Sequence, residues 1–345
     1  MANWKRLALL LLCGACSAAT ARAQQAPAAP PVANLQGVLD RIHQHAGNDA
    51  WRNKGFEDQQ IEGWLDRLAG SIAKAAKIPD LKVPVRLAEV QPADPVPSRT
   101  ISQRLIVGKN LDLKDVRLQN SIVLADGHVE IDRAEGCVIV ARGAVRLQVS
   151  AYCVIVSGLC VEGSMYDGRP NDAANGSIIA ARGWVRLQSA YGSMIAAQEG
   201  AIVESPRDAL FVNATIASSG GLAGGGAKSL KVPDLPLEPL PANPVRLKVL
   251  GIVRPDTAPI VPASPAFGRG RGGLLAGAPV PVADLGIVIR YDGRRYIAAI
   301  GEPILDEAGQ VVEALRDWKL ALLTDSLAIF SNSNSDLAVR LPGNR

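Results

Sequence analysis

The sequence predicts a mainly β fold. A parallel β-solenoid of about seven 16-residue coils follows an N-terminal helical cap and precedes a small C-terminal β-barrel or sandwich domain. Three observations carry this expectation. ARGAVRLQVSAY at 141–152 returns as ARGWVRLQSAY at 181–191, forty residues on. The surrounding residues fall into register in lines of sixteen, starting at Leu105, Ser121, Cys137, Cys153, Ser177, Ser193 and Ala209, with one step of twenty-four. Aromatic residues make up only 4% of the chain beside 33 Gly and 23 Pro, which suits short strands and tight turns better than large helical cores.

The columns of these lines justify the coils. The second column reads Ile106, Ile122, Val138, Val154, Ile178, Met194 and Leu210, and the ninth reads Leu113, Val129, Val145, Val161, Val185, Ala201 and Ala217. Turn pairs such as Asp126-Gly127, Arg142-Gly143 and Arg182-Gly183 stand between them. One such line can neither bury its apolar side chains nor pair its own backbone. Stacking does both, with parallel strands about 4.8 Å apart. The step of twenty-four is a coil plus eight residues and contains SMYDGRPNDAANG at 164–176, which is expected to protrude from the fourth coil.

The flanking segments follow in order. Lys5 and Arg6, an apolar stretch at 7–18 and Ala21-Arg22-Ala23 read as a signal peptide over 1–23, so the mature chain starts at Gln24 and is exported, periplasmic or secreted. Lipid anchoring through Cys16 is the weaker alternative, because Cys13-Gly14-Ala15 precedes it where a leading Leu is usual. The mature chain has no run long and apolar enough for a transmembrane segment. An Ala/Pro linker (24–33) leads to the helical cap (34–80), where Leu35, Val38, Leu39 and Ile42, then Ile61, Trp64, Leu65, Leu68 and Ile72, recur at helical spacing. Such a piece could cover an open solenoid end, whose strand edges invite association. An extended connector (81–104) enters the solenoid (105–224). A Gly/Pro-rich linker (225–244) leaves it for a small β domain (245–345), which carries a hairpin signal at Asp292-Gly293.

Chemistry-bearing residues are sparse. His43 and His45 are two apart on a helix and cannot face one metal; His128 sits at a coil turn; no phosphate loop, nucleophile elbow or zinc spacing occurs. The expectation is no catalytic residue, no cofactor and no metal. A net charge of +4 with mixed signs lacks the basic stripe of a nucleic-acid groove. The tenth column places Lys114, Glu130, Arg146, Glu162 and Arg186 in file, a structural ladder of alternating charge that favours one register. Cys137 and Cys153 share the first column with serines and read as a stack of small residues, a disulfide there being geometrically awkward. Cys160 stands apart and is expected to be unpaired. In the insertion, Tyr166, Asp167, Arg169, Asn171 and Asp172 form a candidate interaction loop; its Asp and Asn residues lack calcium-loop spacing. The arginines of FGRGRGG at 267–273 read as a surface loop.

The compact coils and Val/Ile columns over about 105–217 resemble bactofilins, bacterial polymer-forming β-helix proteins, which implies a non-catalytic scaffold. An export signal and added domains depart from that family's pattern. The C-terminal run GIVIRYDGRRYIAAIGEPI is weakly similar to small periplasmic β-domains of secretion and pilus assembly proteins, which bind partner proteins. The expected function is therefore an exported, non-catalytic structural or adaptor protein of the bacterial cell envelope, acting through envelope protein partners or self-association. The alternative is a carbohydrate-active β-helix that binds or cleaves a glycan, for which Asp126, Glu130, Asp132 and Glu135 on the second coil are the candidate carboxylates.

Overall fold

The computed structural model describes residues 34–48, 51, 56–93, 99–163, 165–166, 169–170, 173–216, 227–240, 247–253, 286–323, 327–332 and 336–341. The signal segment, the Ala/Pro linker and the loop at 267–273 lie outside them.

Seven coils stack in parallel. One sheet takes a short strand from each: Arg104–Gly108, Ile122–Ala125, Val138–Ala141, Val154–Ser157, Ile178–Ala181, Met194–Ala197 and Leu210–Val212. Gln91–Pro92 and Lys228–Leu230 add a strand at either end, making nine. These strands are apolar at nearly every position because both faces are buried. Val123, Ile139, Ile155, Ile179 and Ile195 point into the solenoid and meet Val129, Ile131, Val145, Leu147, Val185 and Leu187. Their neighbours Leu124, Val140, Val154, Val156 and Ile178 point outward and pack against helices.

The second sheet has eight strands, among them Leu111–Gln119, Val129–Glu135, Val145–Ala151, Trp184–Tyr191 and Gly200–Arg207. Here burial alternates, so the outer face is polar. The alternation slips where two successive residues face out, as at Asp132 and Arg133, so each strand bends and the coil has three sides. The insertion enters at this bend. Val161–Gly163 pairs with Val145–Leu147 and Ala173–Asn175 with Val149–Ala151, so nine residues of coil four replace the single Gln148 of coil three. Within the insertion Met165–Tyr166 pairs antiparallel with Arg169–Pro170. Asp167, Asn171 and Asp172 lie outside the described residues.

The end coils correct the sixteen-residue register. Leu105 pairs with Ile122, a step of seventeen, so Arg104 and not Leu105 opens the first coil. Leu111, rather than Leu113, faces Val129, and an irregularity between Leu113 and Arg117 absorbs the excess. At the far end Ala201 bridges Ile216 rather than Ala217. A solenoid tolerates this at its ends because a terminal coil has a neighbour on one side only.

Helix α1 (Leu35–Ala46) is capped by Asn34, whose Oδ1 accepts from Gly37 N; α2 (Gln59–Ala76) is capped by Asp58, which accepts from Gln60 N and Ile61 N. Expected to cover an open end, the helices lie on the flank. Along α1, Gln36 accepts from Arg182 of coil five at 2.9 Å, Asp40 from Arg142 of coil three at 2.9 Å, and His43 meets Asp126 of coil two at 2.7 Å. The helix therefore runs along the solenoid axis, and Leu35, Val38, Leu39 and Ile42 are at most 1% exposed. The physical reason is the outward apolar face of the nine-stranded sheet, which presents far more apolar surface than either end does. Residues 228–240, read as linker, join the same flank. Val232 and Leu237 are buried there, Glu238 accepts from Leu35 N at 2.9 Å, and Gln198 donates to Leu237 O.

The C-terminal unit holds two three-stranded antiparallel sheets, Lys248–Val253, Gly286–Tyr291 and Arg294–Ala299, then Lys319–Leu323, Leu327–Ser331 and Asp336–Arg340. They share one core of Val249, Ile287, Ile289, Trp318, Leu320, Phe330 and Leu337. On its outside Ile329 is fully buried among Ala144, Leu159, Cys160 and Trp184 of the solenoid turns, with Leu240 beside them.

Two of the four edges of these sheets carry a proline turned outward, one at each end of the stack, and the edges at Thr100–Ser102 and Lys228–Leu230 carry none. Gln91 N and Ala93 N donate back to Gln103 O and Leu105 O, so Pro92 between them faces away from the stack. Arg207 O accepts from Gly192 N of the preceding coil, so Pro206 faces the opposite open edge. Neither position offers the N–H that a further strand would need.

Candidate functional site

Among the described residues two surfaces of the solenoid are uncovered, the outer face of the second sheet and the corner where that sheet passes into the first. At the corner the chain turns through a left-handed residue in every coil: Gln103, Asn120, Gly136, Tyr152, Gly176, Gly192 and Asp208 have φ between 44° and 59°. Gly, Asn and Asp tolerate this conformation, whereas Gln103 and Tyr152 bear its strain. From the second coil on, the residue after the turn points inward, and there the small first column does a specific task. Ser121, Cys153, Ser177 and Ser193 accept from the backbone N–H one coil earlier, at 3.1–3.4 Å, and donate to the carbonyl two residues back. Cys137 donates likewise, to Glu135 O. The column thus satisfies backbone donors that a corner would otherwise bury unpaired. The three cysteines among the described residues are free and buried. The hydrogen bond with Cys137, then burial, hold the Cys153 thiol well above its ordinary pKa, and burial does the same to Cys160, so both stay protonated and unreactive.

On the open face Glu130, Arg146, Glu162 and Arg186 lie opposite one another on four successive coils. Arg146 donates to Glu130 at 3.4 Å, and Glu162, between two arginines, is only 4% exposed. Lys114 is not in the file: Asp112 faces Glu130, and the Lys114 ammonium bridges the two at 3.3 and 2.9 Å. Its hydrogen bond to Glu130 raises its pKa.

The four carboxylates of the second coil do not converge. Asp126 sits at the helix-side turn against His43 and Arg142, Glu130 is held by Lys114 and Arg146, Asp132 accepts from Asp115 N, and Glu135 pairs with Arg117 at 2.7 Å. The hydrogen bond from Arg117 lowers the Glu135 pKa. His43 and His45 lie at the contacts of α1 with the solenoid and with the start of α2. His45 packs edge-on to Phe56 and lies 3.6 Å from Asp58, while burial and then the Arg41 charge lower its pKa. His128 Nδ1 accepts from Ala144 N at 3.0 Å, a structural role at the turn. Among the described residues no cluster of three or more His, Cys, Asp and Glu is placed to hold a metal, and no helix is long and apolar enough to cross a membrane. A cleft of about 650 Å³ in the C-terminal unit is lined by Arg294, Arg295, Asp306, Glu307 and Glu313, charges of both signs at its rim.

What sequence reasoning missed is the corner. Tyr152 is 69% exposed and Tyr191 38%, with the Arg207 guanidinium 5.7 Å from the centre of the Tyr191 ring. The signal was present, since Asn120, Gly136, Gly176, Gly192 and Asp208 recur at the coil step.

Fold and surface define a parallel β-solenoid with its own helical flank and an appended antiparallel β unit. No protein-family model, curated protein or solved structure matches the chain.

Proposed function

We propose that this is an exported, non-catalytic structural or adaptor protein of the bacterial cell envelope, a bactofilin-like rod in architecture that works by binding partners along its side. The observation that carries the reading is the division of its surface. The apolar flank is covered by the chain's own helices, whereas the opposite sheet stays open and its charged groups are paired into a ladder. Those ion pairs stiffen and specify a surface; exposed pairs of this kind contribute under about 1 kcal/mol each. The edge prolines favour lateral binding over coil-on-coil polymerisation. Hydrolysis of a glycan needs two carboxylates free to face each other across a substrate, and here each candidate carboxylate has a structural partner.

The test is a photo-crosslinking amino acid placed at Arg133 or Gln148 on the open face, in cells, with fractionation to locate the product. The expected result is a discrete envelope adduct and a mature chain starting at Gln24. Cytoplasmic retention, or a glycan-cleaving activity lost in E130Q/D132N while the fold persists, would overturn the proposal.

A further inference from the structure

The corner bearing Tyr152 and Tyr191 has features that coil geometry does not require. Apart from Gln103 in the terminal coil, every other corner residue is Gly, Asn or Asp, types that enter the left-handed region cheaply. Tyr152 is not, yet it holds φ 54° while 69% exposed, so little burial offsets the strain. An exposed residue kept in an unfavourable conformation points to what its side chain presents. Its ring leans over coil four: a Cβ built on Gly176 would lie 3.0 Å from two atoms of that ring, so the glycine makes room for it.

Tyr191 stands two coils further on, about 10 Å along the axis by the strand spacing. Between the two lie Asn175 and Gly176, and then Gly192, around whose absent side chain nothing comes within 4 Å. Asn175 uses its carbonyl for Tyr152 N and Ser177 Oγ. Arg207 closes the strip above Tyr191. The result is a shallow ridge with two exposed tyrosines whose backbones stand two coils apart, with an amide and a guanidinium beside them.

We infer that this ridge binds an extended, β-linked polysaccharide strand, two sugar rings stacking on Tyr152 and Tyr191 and their hydroxyls meeting Asn175 and Arg207. A pyranose offers C–H faces to an aromatic ring and hydroxyls to polar tips, the two things a tyrosine ridge supplies. A peptide fits the site less well. It needs a groove or an unpaired strand edge, and the ridge backbone is already bonded coil to coil at Tyr152, Gly176 and Gly192. This goes beyond the adaptor reading by giving the rod a place to lie along a glycan.

The test uses the full mature chain with insoluble peptidoglycan sacculi in co-sedimentation and a soluble β-1,4-linked N-acetylglucosamine hexasaccharide in calorimetry. Tyr152→Gly suits the backbone, so its melting temperature should equal or exceed that of the natural protein while its affinity falls roughly tenfold, the worth of one stacked ring. Tyr191→Ala should lose a similar factor, and the double variant should not bind. Undiminished binding by the double variant, or no binding of either probe by the natural chain, overturns the inference.

Discussion

At the scale of single residues, the solenoid depends on side chains that satisfy backbone groups more than on bulk. Cys153 shows this. Its sulfur accepts from Cys137 N at 3.4 Å in a column where Ser121, Ser177 and Ser193 do the same with oxygen. Cys153→Ser keeps an acceptor of similar reach and is expected to unfold in urea within about 1 kcal/mol of the natural chain, the range of a net hydrogen bond. Cys153→Ala leaves the Cys137 N–H buried without an acceptor and should cost roughly 1–3 kcal/mol. Equal midpoints for the two variants would show that the column is merely small. The turns on the other side demand glycine for a different reason. A Cβ on Gly158 would sit 2.2 Å from Arg142 O, a backbone atom that cannot swing aside. Gly158→Ala should therefore cost roughly 1–3 kcal/mol in the same urea experiment, as overpacking does elsewhere.

At the scale of elements, the four-residue apolar runs made the solenoid legible but withheld the helices' position. VIVA and IIAA read as strands buried on both faces, yet nothing in the spacing says which element covers the outer one. Helix placement follows from long-range pairs such as Arg182 with Gln36 and Asp126 with His43, which no local pattern reveals. The first coil was misregistered because Lys114, Asp115 and Val116 stand where coil two has only Asp132, and an irregular strand breaks a fixed period. The corner went unread because Tyr152 hides a column of left-handed turn residues. Two predictions belong here. His45 lies between α1 and the start of α2, facing Asp58, Arg41 and Phe56. Its folded pKa is lowered by burial and the Arg41 charge, so the unfolded chain binds its proton more readily. That contribution to stability is present above pH 6.5 and fades as pH falls through and below that value. Melting temperature should drop between pH 7.5 and 5.5, and less steeply in His45→Gln; identical slopes would remove His45 from the account. The second concerns Ile329, among the described residues the one side chain of the C-terminal unit in the buried solenoid cluster of Leu159, Cys160 and Trp184. Ile329→Asp would bury a charge there. Small-angle scattering should show a larger radius of gyration with the solenoid's unfolding unchanged, and an unaltered radius would mean that another contact holds the unit in place.

At the scale of the whole molecule, the question is why stacked coils stop at seven. Each coil is a template for the next, and an uncovered end would recruit the end of another chain. The helices do not prevent this, because they lie on the flank. Prolines block one sheet at each end: Pro92 on the nine-stranded sheet and Pro206 on the eight-stranded one leave no outward donor, and one missing bond interrupts a parallel ladder where it would begin, while the edges at Thr100–Ser102 and Lys228–Leu230 carry no proline. The mature chain should remain monomeric in light scattering from micromolar to near-millimolar concentration. Replacing both prolines by Val restores an N–H of similar side-chain volume at each edge, so P92V/P206V should associate end to end, with scattered mass rising with concentration and rods longer than one molecule in electron micrographs. If the natural chain already forms rods, its edges are not closed; if the double variant stays monomeric under the same conditions, they are closed by something other than proline. The lateral surfaces would then have to be tested for self-association in their place.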